Sequence, residues 1–159
     1  IAYGGGSKAA AERAARLGLM FFPQTTDPKM SEIYDTEATR VGNPIGMTMG
    51  PEEGAPTTIF VAEDLDKAWK QYGPYMLHDA TEYRKWMGEH NNSASLSKAT
   101  TLTELRDEKG PYRIVTPEEA ISLIDQYHRL SLQPLCGGLP PEMAWESLAL
   151  IEKIMTALP

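Results

Sequence analysis

Short apolar runs alternate with amphipathic stretches along the first third of the chain. Residues 1–3 are apolar and favour a strand, and they are followed by three glycines and Ser7. Ser7 can cap a helix over the alanine-rich stretch behind it, which Gly18 can end in a left-handed turn. A second apolar run covers residues 19–22, and a helix is predicted over residues 28–40. The pattern therefore predicts two strands that alternate with two helices.

The middle of the chain contains one clear strand, residues 57–64, whose sequence TTIFVAED ends in acidic residues. Asp64 can cap the helix that follows, and Pro74 is expected to separate this helix from a second one over residues 79–87. Residues 88–110 are polar and aperiodic. They are predicted to form a long loop that is mobile or covers a binding site.

The last third begins with a strong helix signal. Thr116 and Glu119 have the spacing of a capping box, and Pro117 takes the first helical position, so a helix is predicted from there to about Arg129. The sequence LSLQPLCGG, residues 130–138, predicts a short strand that ends in two glycines. The final helix is predicted to bury one apolar face, formed by Ala144, Leu148, Ile151, Met155 and Leu158.

This alternation predicts a parallel α/β arrangement in a single domain, residues 1–159. Two architectures fit the order of strands and helices. One is an open, doubly wound sheet with helices on both faces. The other is half of a (β/α)8 TIM barrel, with parallel strands inside and helices outside.

Composition narrows the possible functions. The 159 residues carry a formal net charge of −7 with scattered lysines and arginines, which excludes the dense cationic surface of a nucleic-acid-binding protein. No apolar run approaches the roughly 20 residues of a membrane span and no secretory signal is recognisable, so a soluble, cytoplasmic protein is expected. Cys136 is the only cysteine, which excludes an internal disulfide and a cysteine metal cluster, and no metal site is expected.

The glycine-rich turn after the first strand matches one known pattern. Gly4, Gly6 and Ala9 fit the G-x-G-x-x-A spacing of dinucleotide-binding folds, and Asp27 lies about 20 residues on, near the place of a ribose ligand. Asp27 follows a polar segment, however, and does not end the second strand. The hypothesis of nicotinamide binding therefore depends on the glycine spacing alone.

A more general hypothesis for the same turn is phosphate binding. Backbone N–H groups of Gly5, Gly6 and Ser7 would point out of a helix N-terminus, where the partial positive charge favours an anion. A tight strand-to-helix turn without a ligand would use the same residues. Three successive glycines next to a hydroxyl favour the phosphate site.

Four segments together resemble one protein family. The segments are GGGSKAAAERAARLGLMFFP, TIFVAEDLDKAWKQYGPYMLHDATEYRKW, YRIVTPEEAISLI and PLCGGLPPEMAWESL, and their order and spacing cover residues 4–158. They resemble the luciferase-like flavin-dependent oxidoreductases, the family of bacterial luciferase-like monooxygenases. In that family the segments correspond to strands five to eight of a (β/α)8 barrel.

The resemblance implies a fold, a reaction and a cofactor site. We expect the chain to be the C-terminal half of a barrel whose parent enzyme uses reduced FMN and oxygen, or a 5-deazaflavin coenzyme, on a small organic substrate. Gly5, Gly6 and Ser7 would hold the flavin phosphate, whereas the catalytic residues would come mainly from the first four strands. The chain would then pair with an N-terminal half or with a second copy of itself. The alternative to an enzyme is a half-barrel subunit that has no catalytic activity.

Further candidates lie where the predicted strands end. Phe22, Cys136 and Gly137 are candidate pocket-lining residues, because the active sites of barrels open at the carboxyl ends of their strands. For Cys136 the favoured interpretation is a small buried hydrophobe in a tight turn. His78 and Asp79 could form an acid–base pair, but adjacent helical residues point in different directions, which favours a surface histidine.

Overall fold

The computed structural model describes residues 1–88 and 92–157. It divides into two compact units, of which the first comprises residues 1–53 and 92–94. The second comprises the other described residues, from Gly54 onward. Both units are mixed α/β with parallel strands, which confirms the prediction of a parallel α/β arrangement. The described strands form two two-stranded sheets and not a closed barrel.

The first unit is built from two strand–helix pairs. Its elements in chain order are β1 (Ala2–Gly5), α1 (Lys8–Arg16), β2 (Met20–Pro23) and α2 (Lys29–Val41). The two strands pair in parallel from Ala2 opposite Met20 to Gly5 opposite Pro23, and Thr48 adds a parallel bridge to Phe21. These elements agree with the sequence pattern to within two residues.

Both helices of the first unit pack on one face of its sheet. The core there combines three alanines of α1 with larger side chains from β2 and α2: Ala11, Ala14, Ala15, Phe21, Met30, Tyr34 and Ala38. The Phe21 and Tyr34 rings stack with centroids 5.8 Å apart, and the Tyr34 hydroxyl donates to the carbonyl of Leu19 at 2.8 Å. The small alanines bring α1 close to the strands, and this close packing determines how the glycine turn is built.

The second unit contains two strands and five helices among its described residues. In chain order they are β3 (Thr58–Val61), α3 (Leu65–Gln71), α4 (Gly73–Met87), α5 (Leu102–Glu108), β4 (Tyr112–Val115), α6 (Pro117–Tyr127) and α7 (Pro141–Ala157). Strands β3 and β4 pair in parallel, with Thr58 opposite Tyr112. On its other edge β3 makes a parallel bridge from Ile59 to Leu132, so β3 lies between β4 and this segment. β3, the first strand of this unit along the chain, is therefore the central one of the three paired segments.

Apolar clusters cover both faces of this second sheet. Phe60 and Ile114 face a cluster that includes Trp69 and Met76, whereas Val61 belongs to a cluster on the opposite face. The residues of the second cluster are Ile59, Val61, Val115, Ala120, Leu123, Ile151 and Ile154. Burial on both faces is typical of parallel strands flanked by helices.

The strand predicted over residues 130–138 is wrong beyond Leu132. Leu132 makes only the single bridge to Ile59, and the backbone then turns into a short 3₁₀ turn, Cys136–Gly138. Gln133 and Ser147 give the physical reason. The carbonyl of Gln133 accepts the N–H of Cys136 within the turn, and the hydroxyl of Ser147 in α7 accepts the N–H of Val61 at 2.8 Å. A side chain of α7 thus replaces the next strand hydrogen bond.

The prediction of one continuous loop over residues 88–110 is also wrong. Residues 102–108 form α5, capped by the Thr101 hydroxyl, which accepts from the N–H of Glu104. Leu105 anchors this helix because it is fully buried in the core. The loop residues 89–91 lie outside the described residues.

Two further differences concern α6 and α7. The capping box of Thr116 and Glu119 is confirmed, but α6 ends at Tyr127, two residues before the predicted end. On α7, Met155 is exposed and Ile154 is buried, so the predicted apolar face is wrong at this position. Leu158, the last residue of that face, lies outside the described residues.

Candidate functional site

The carboxyl ends of β1 and β2 meet at the glycine turn. Gly5 is opposite Pro23 in the parallel register, and its carbonyl accepts the N–H of Gln24 at 3.2 Å. Gly6 and Ser7 then lead directly into α1. The turn is thus held on one side by the sheet and on the other by a helix N-terminus, which is the arrangement that binds anions in many α/β proteins.

The structure separates the roles of the three glycines. A Cβ on Gly5 would lie 2.5 Å from the Cβ of Ala10, so the close packing of α1 requires glycine there. A Cβ on Gly6 would lie 3.8 Å from the Cβ of Gln24, and one on Gly4 would lie 3.8 Å from the carbonyl oxygen of Phe22, both ordinary contacts. Neither Gly4 nor Gly6 has a positive φ. Nothing within the described chain requires glycine at positions 4 and 6, which is what a site for close approach by a ligand would show.

Ser7 caps α1 and keeps a donor. Its hydroxyl oxygen accepts the N–H of Ala10 at 3.3 Å, which confirms the predicted cap. The hydroxyl proton can still donate to an acceptor outside the helix, and the first-turn N–H groups of Lys8 and Ala9 have no partner within the helix. The Lys8 ammonium is exposed and lies 3.7 Å from the Glu12 carboxylate. This end of the helix therefore offers several donors and one cationic side chain to an anion.

A second surface of the first unit is apolar. Phe21 is 1% exposed, but its neighbours Met20 and Phe22 are each 40% exposed because they point to the face of the sheet away from the helices. Thr48 bridges Phe21, so Met47 and Met49 extend from the same side as Phe22. We call the surface formed by Met20, Phe22, Met47 and Met49 the apolar strand face. Gly4 is opposite Phe22 in the register and adds no side chain to this face.

Cys136 and Gly137 lie in the second unit and serve packing there. Cys136 is 5% exposed and belongs to the apolar core. Burial, and then the nearby Asp79 carboxylate, raise the pKa of its thiol. Gly137 has a φ of 59°, and a Cβ on it would clash with the Tyr75 carbonyl oxygen of α4. These contacts agree with the interpretation of Cys136 as a small hydrophobe in a tight turn.

Asp79 and His78 point in different directions. The Asp79 carboxylate accepts a hydrogen bond from the Tyr112 hydroxyl at 2.8 Å, and burial together with this bond raises the pKa of Tyr112. His78 is exposed on the same helix. The structure therefore supports a surface histidine and a structural carboxylate, not an acid–base pair.

In the second unit, a cleft of about 320 Å³ lies at the carboxyl end of β3. Glu63 and Asp64 line it from the strand end, and Glu146 and Lys153 line it from α7. The Tyr72 hydroxyl lies 3.4 Å from Glu146, and burial is the main cause of the raised pKa of Tyr72. The acidic end of the strand is visible in the sequence, whereas the contribution of α7 comes from long-range packing that the sequence pattern does not show.

Two general findings concern metal ions and membranes. Within residues 1–88 and 92–157, no group of three or more His, Cys, Asp or Glu side chains is placed to hold a metal ion. None of the helices described is long and apolar enough to cross a lipid bilayer.

Comparison with known proteins gives a likeness in fold. No protein-family model matches the chain, and no curated protein matches it. The chain is similar to the crystal structure of monooxygenase RslO1 from Streptomyces bottropensis, with 22% sequence identity and a TM-score of 0.50. The similarity covers 96% of this chain and 46% of that chain, so this chain spans about half the length of the monooxygenase. At this identity the likeness supports the α/β fold.

Proposed function

We propose that this chain is part of a flavin-dependent oxidoreductase, a luciferase-like monooxygenase that uses reduced FMN and oxygen. In this proposal Gly5, Gly6 and Ser7 form the binding site for the flavin phosphate. The observation that carries it is the glycine at position 6, at the N-terminus of α1, where a Cβ would make only an ordinary contact and nothing within the described chain requires glycine. The likeness to a monooxygenase and the resemblance of four sequence segments support the same proposal.

The residues of the turn fit a phosphate group. Gly6 allows phosphate oxygens to approach the backbone, the Ser7 hydroxyl can donate to them, and Lys8 adds a positive charge. Gly5 has a different role, since it allows α1 to pack against the strand and so places the donors. The cofactor phosphate would therefore contact Gly6 and Ser7, with Gly5 as the positioning residue.

The apolar strand face fits the non-polar part of such a cofactor or its organic substrate. Phe22 is 40% exposed near the end of β2, and Gly4 opposite it has no side chain that would obstruct a flat ring system. When bound, reduced flavin supplies the electrons that activate oxygen. The described residues of this unit would bind and orient the reactants and exclude water from the apolar face.

We further propose that this chain contributes the C-terminal half of a (β/α)8 barrel and that additional β/α units complete it. The support is the set of exposed apolar residues on the open face of β2 and the coverage of only 46% of the similar monooxygenase. The completing units would be an N-terminal half of the barrel or a second copy of this chain. A half-barrel subunit without catalytic residues of its own would have the same need for a partner.

Fluorescence titration of the protein, in the form in which its source cell contains it, tests the proposal. FMN should bind more tightly than riboflavin, because only FMN has the phosphate that the turn recognises. A 5-deazaflavin coenzyme that bound in preference to FMN would favour the hydride-transfer alternative. Equal affinities for FMN and riboflavin would contradict a phosphate site at the turn.

A further inference from the structure

A cleft of about 490 Å³ runs along the free edge of β4 in the second unit. It lies between α3, α5 and α6, and all four residues of β4 contribute to its wall. We call it the edge cleft. Its volume lies in the range of sites that hold small organic ligands.

Strand β4 presents backbone donors to this cleft. The carbonyls of Pro111 and Val115 accept N–H groups of Thr58 and Ala62, so the odd-numbered residues of β4 face β3. Because successive residues of a strand point their N–H and C=O groups in opposite directions, those of Tyr112 and Ile114 face the cleft. In the part of the chain that the structure describes, no backbone group pairs with them. An occupant of the cleft would satisfy these groups.

Three cationic side chains line the same cleft, although the chain as a whole has a net charge of −7. Arg113 donates from Nε to the carbonyl of Gly110 at 3.1 Å and from Nη2 to that of Gly54 at 2.9 Å, so neutral oxygens orient its charge. Arg106 pairs with the exposed Asp66 at 2.8 Å. Lys109 adopts a φ of 45°, a conformation that favours glycine.

Positive charge prevails in the edge cleft. The described residues place no carboxylate within ion-pair distance of Lys109 or Arg113. Glu119 is the acidic residue of the lining, and its carboxylate already accepts the N–H of Thr116 in the capping box at 2.9 Å. An anion entering the cleft would therefore meet charges that the protein itself leaves unbalanced.

Apart from the charged residues and the polar Ser122 and Gln126, the side chains that line the cleft from the helices are apolar. Leu65 and Trp69 of α3 lie on one side and Leu123 of α6 on the other. From this combination we propose that the edge cleft binds a small organic anion, a carboxylate or a phosphate ester with an apolar body. The anionic group lies against Lys109 and Arg113 and accepts from the edge N–H groups, and the apolar body contacts Trp69. The site is independent of the glycine turn.

The probes for the test are phenylacetate and phenyl phosphate, with benzyl alcohol as the uncharged control. Amide ¹H–¹⁵N NMR spectra of the full chain should show shifts at Tyr112 and Ile114 on addition of either anion, with a dissociation constant on the order of 1 mM or tighter. Comparison of the two anions then shows whether carboxylate or phosphate is preferred. Shifts by benzyl alcohol of the same size and affinity would overturn the proposal.

Two variants test the charges. Lys109→Gly removes the backbone strain of a left-handed non-glycine residue, so the variant should fold at least as well as the parent. It should weaken anion binding about fivefold to tenfold. Arg113→Gln should weaken it by a similar factor, whereas the exposed Lys70→Gln on α3 should leave it unchanged, because Lys70 does not line the cleft. Affinity that is unchanged in Lys109→Gly overturns the proposal. So does a lack of any shift at Tyr112 and Ile114, as expected if an acidic peptide or another strand is the true occupant of this edge.

Discussion

Gly5 lies against Ala10 so closely that a Cβ on Gly5 would be 2.5 Å from the Cβ of Ala10. This contact joins the end of β1 to the first turn of α1. It explains one glycine of the turn by internal packing and leaves Gly4 and Gly6 without such a reason. The distinction separates residues that build the site from residues that would meet a ligand.

Alanine substitutions at the three glycines should therefore differ in their effect on folding. Gly5→Ala should lower the free energy of unfolding by about 1–3 kcal/mol, because the added methyl group overlaps Ala10. Gly6→Ala and Gly4→Ala should change it by less than about 1 kcal/mol, in either direction, since the methyl group meets only ordinary contacts. Urea unfolding followed by circular dichroism measures all three. Equal destabilisation at the three positions would refute the division of roles.

The ion pairs of Glu37, one to Arg16 of α1 and one to Arg40 of its own helix α2, predict a pH dependence of stability. Glu37 accepts hydrogen bonds from Arg40 Nε at 2.6 Å and from Arg16 Nη1 at 2.9 Å. The hydrogen bond from Arg40 is the main cause that lowers the pKa of Glu37 from 4.5 to about 2, and the contact with Arg16 contributes to the same shift. A carboxyl whose pKa is lower in the folded state stabilises the fold above its unfolded pKa. Stability should therefore fall as the pH decreases from 4.5 towards 2.

Glu37→Gln should remove this part of the pH dependence. Glu32→Gln is the matched control, because Glu32 is exposed on the same helix and makes no such pairs. Thermal unfolding between pH 2 and 6 compares the variants, and added salt should reduce the effect, because both arginines are partly exposed. If the unfolding temperature of Glu37→Gln depended on pH as steeply as that of the parent protein, other carboxyl groups would be the cause of the acid sensitivity.

The single cysteine offers a direct measure of packing in the second unit. Since Cys136 is buried and the pKa of its thiol is raised, its reaction with a disulfide reagent at neutral pH should be slow. We expect labelling at least about a hundredfold slower in the native protein than in denaturant, where the thiolate is accessible. Rates within a few-fold of each other would instead place the thiol at an open site, as the pocket-lining hypothesis requires.

Local signals in the sequence predict the helix starts well. Ser7, Asp64 and Thr116 each cap the helix that follows by accepting an N–H three residues on. Such caps depend on neighbours in the chain, so the residue pattern contains all the information needed. Strands β1 and β3, which precede the first two of these helices, are recognisable as short apolar runs, another local signal.

Elements that depend on contacts between residues far apart in the chain cannot be recognised from the local sequence pattern. Strand β4 is four residues long and includes Arg113, and α5 has one buried residue, Leu105, within a polar stretch. The segment after Leu132 has the composition of a strand, but the N–H of Val61 that it would pair with donates to the Ser147 hydroxyl instead. Ser147 and Val61 are 86 residues apart in the chain. The edge cleft forms only when these elements pack together, so no local pattern predicts it.

The phosphate preference of the glycine turn is the most direct test of the proposed function. The measurement is the ratio of riboflavin to FMN dissociation constants, compared between the parent protein and its Ser7→Ala and Gly6→Ala variants. We expect both variants to weaken FMN binding about fivefold or more and to leave riboflavin binding unchanged. Ser7→Ala removes one hydrogen bond to the anion, whereas the methyl group of Gly6→Ala obstructs the approach of the phosphate to the backbone. The ratio would then fall towards one. A ratio that both variants leave unaltered would contradict a phosphate site at Gly6 and Ser7.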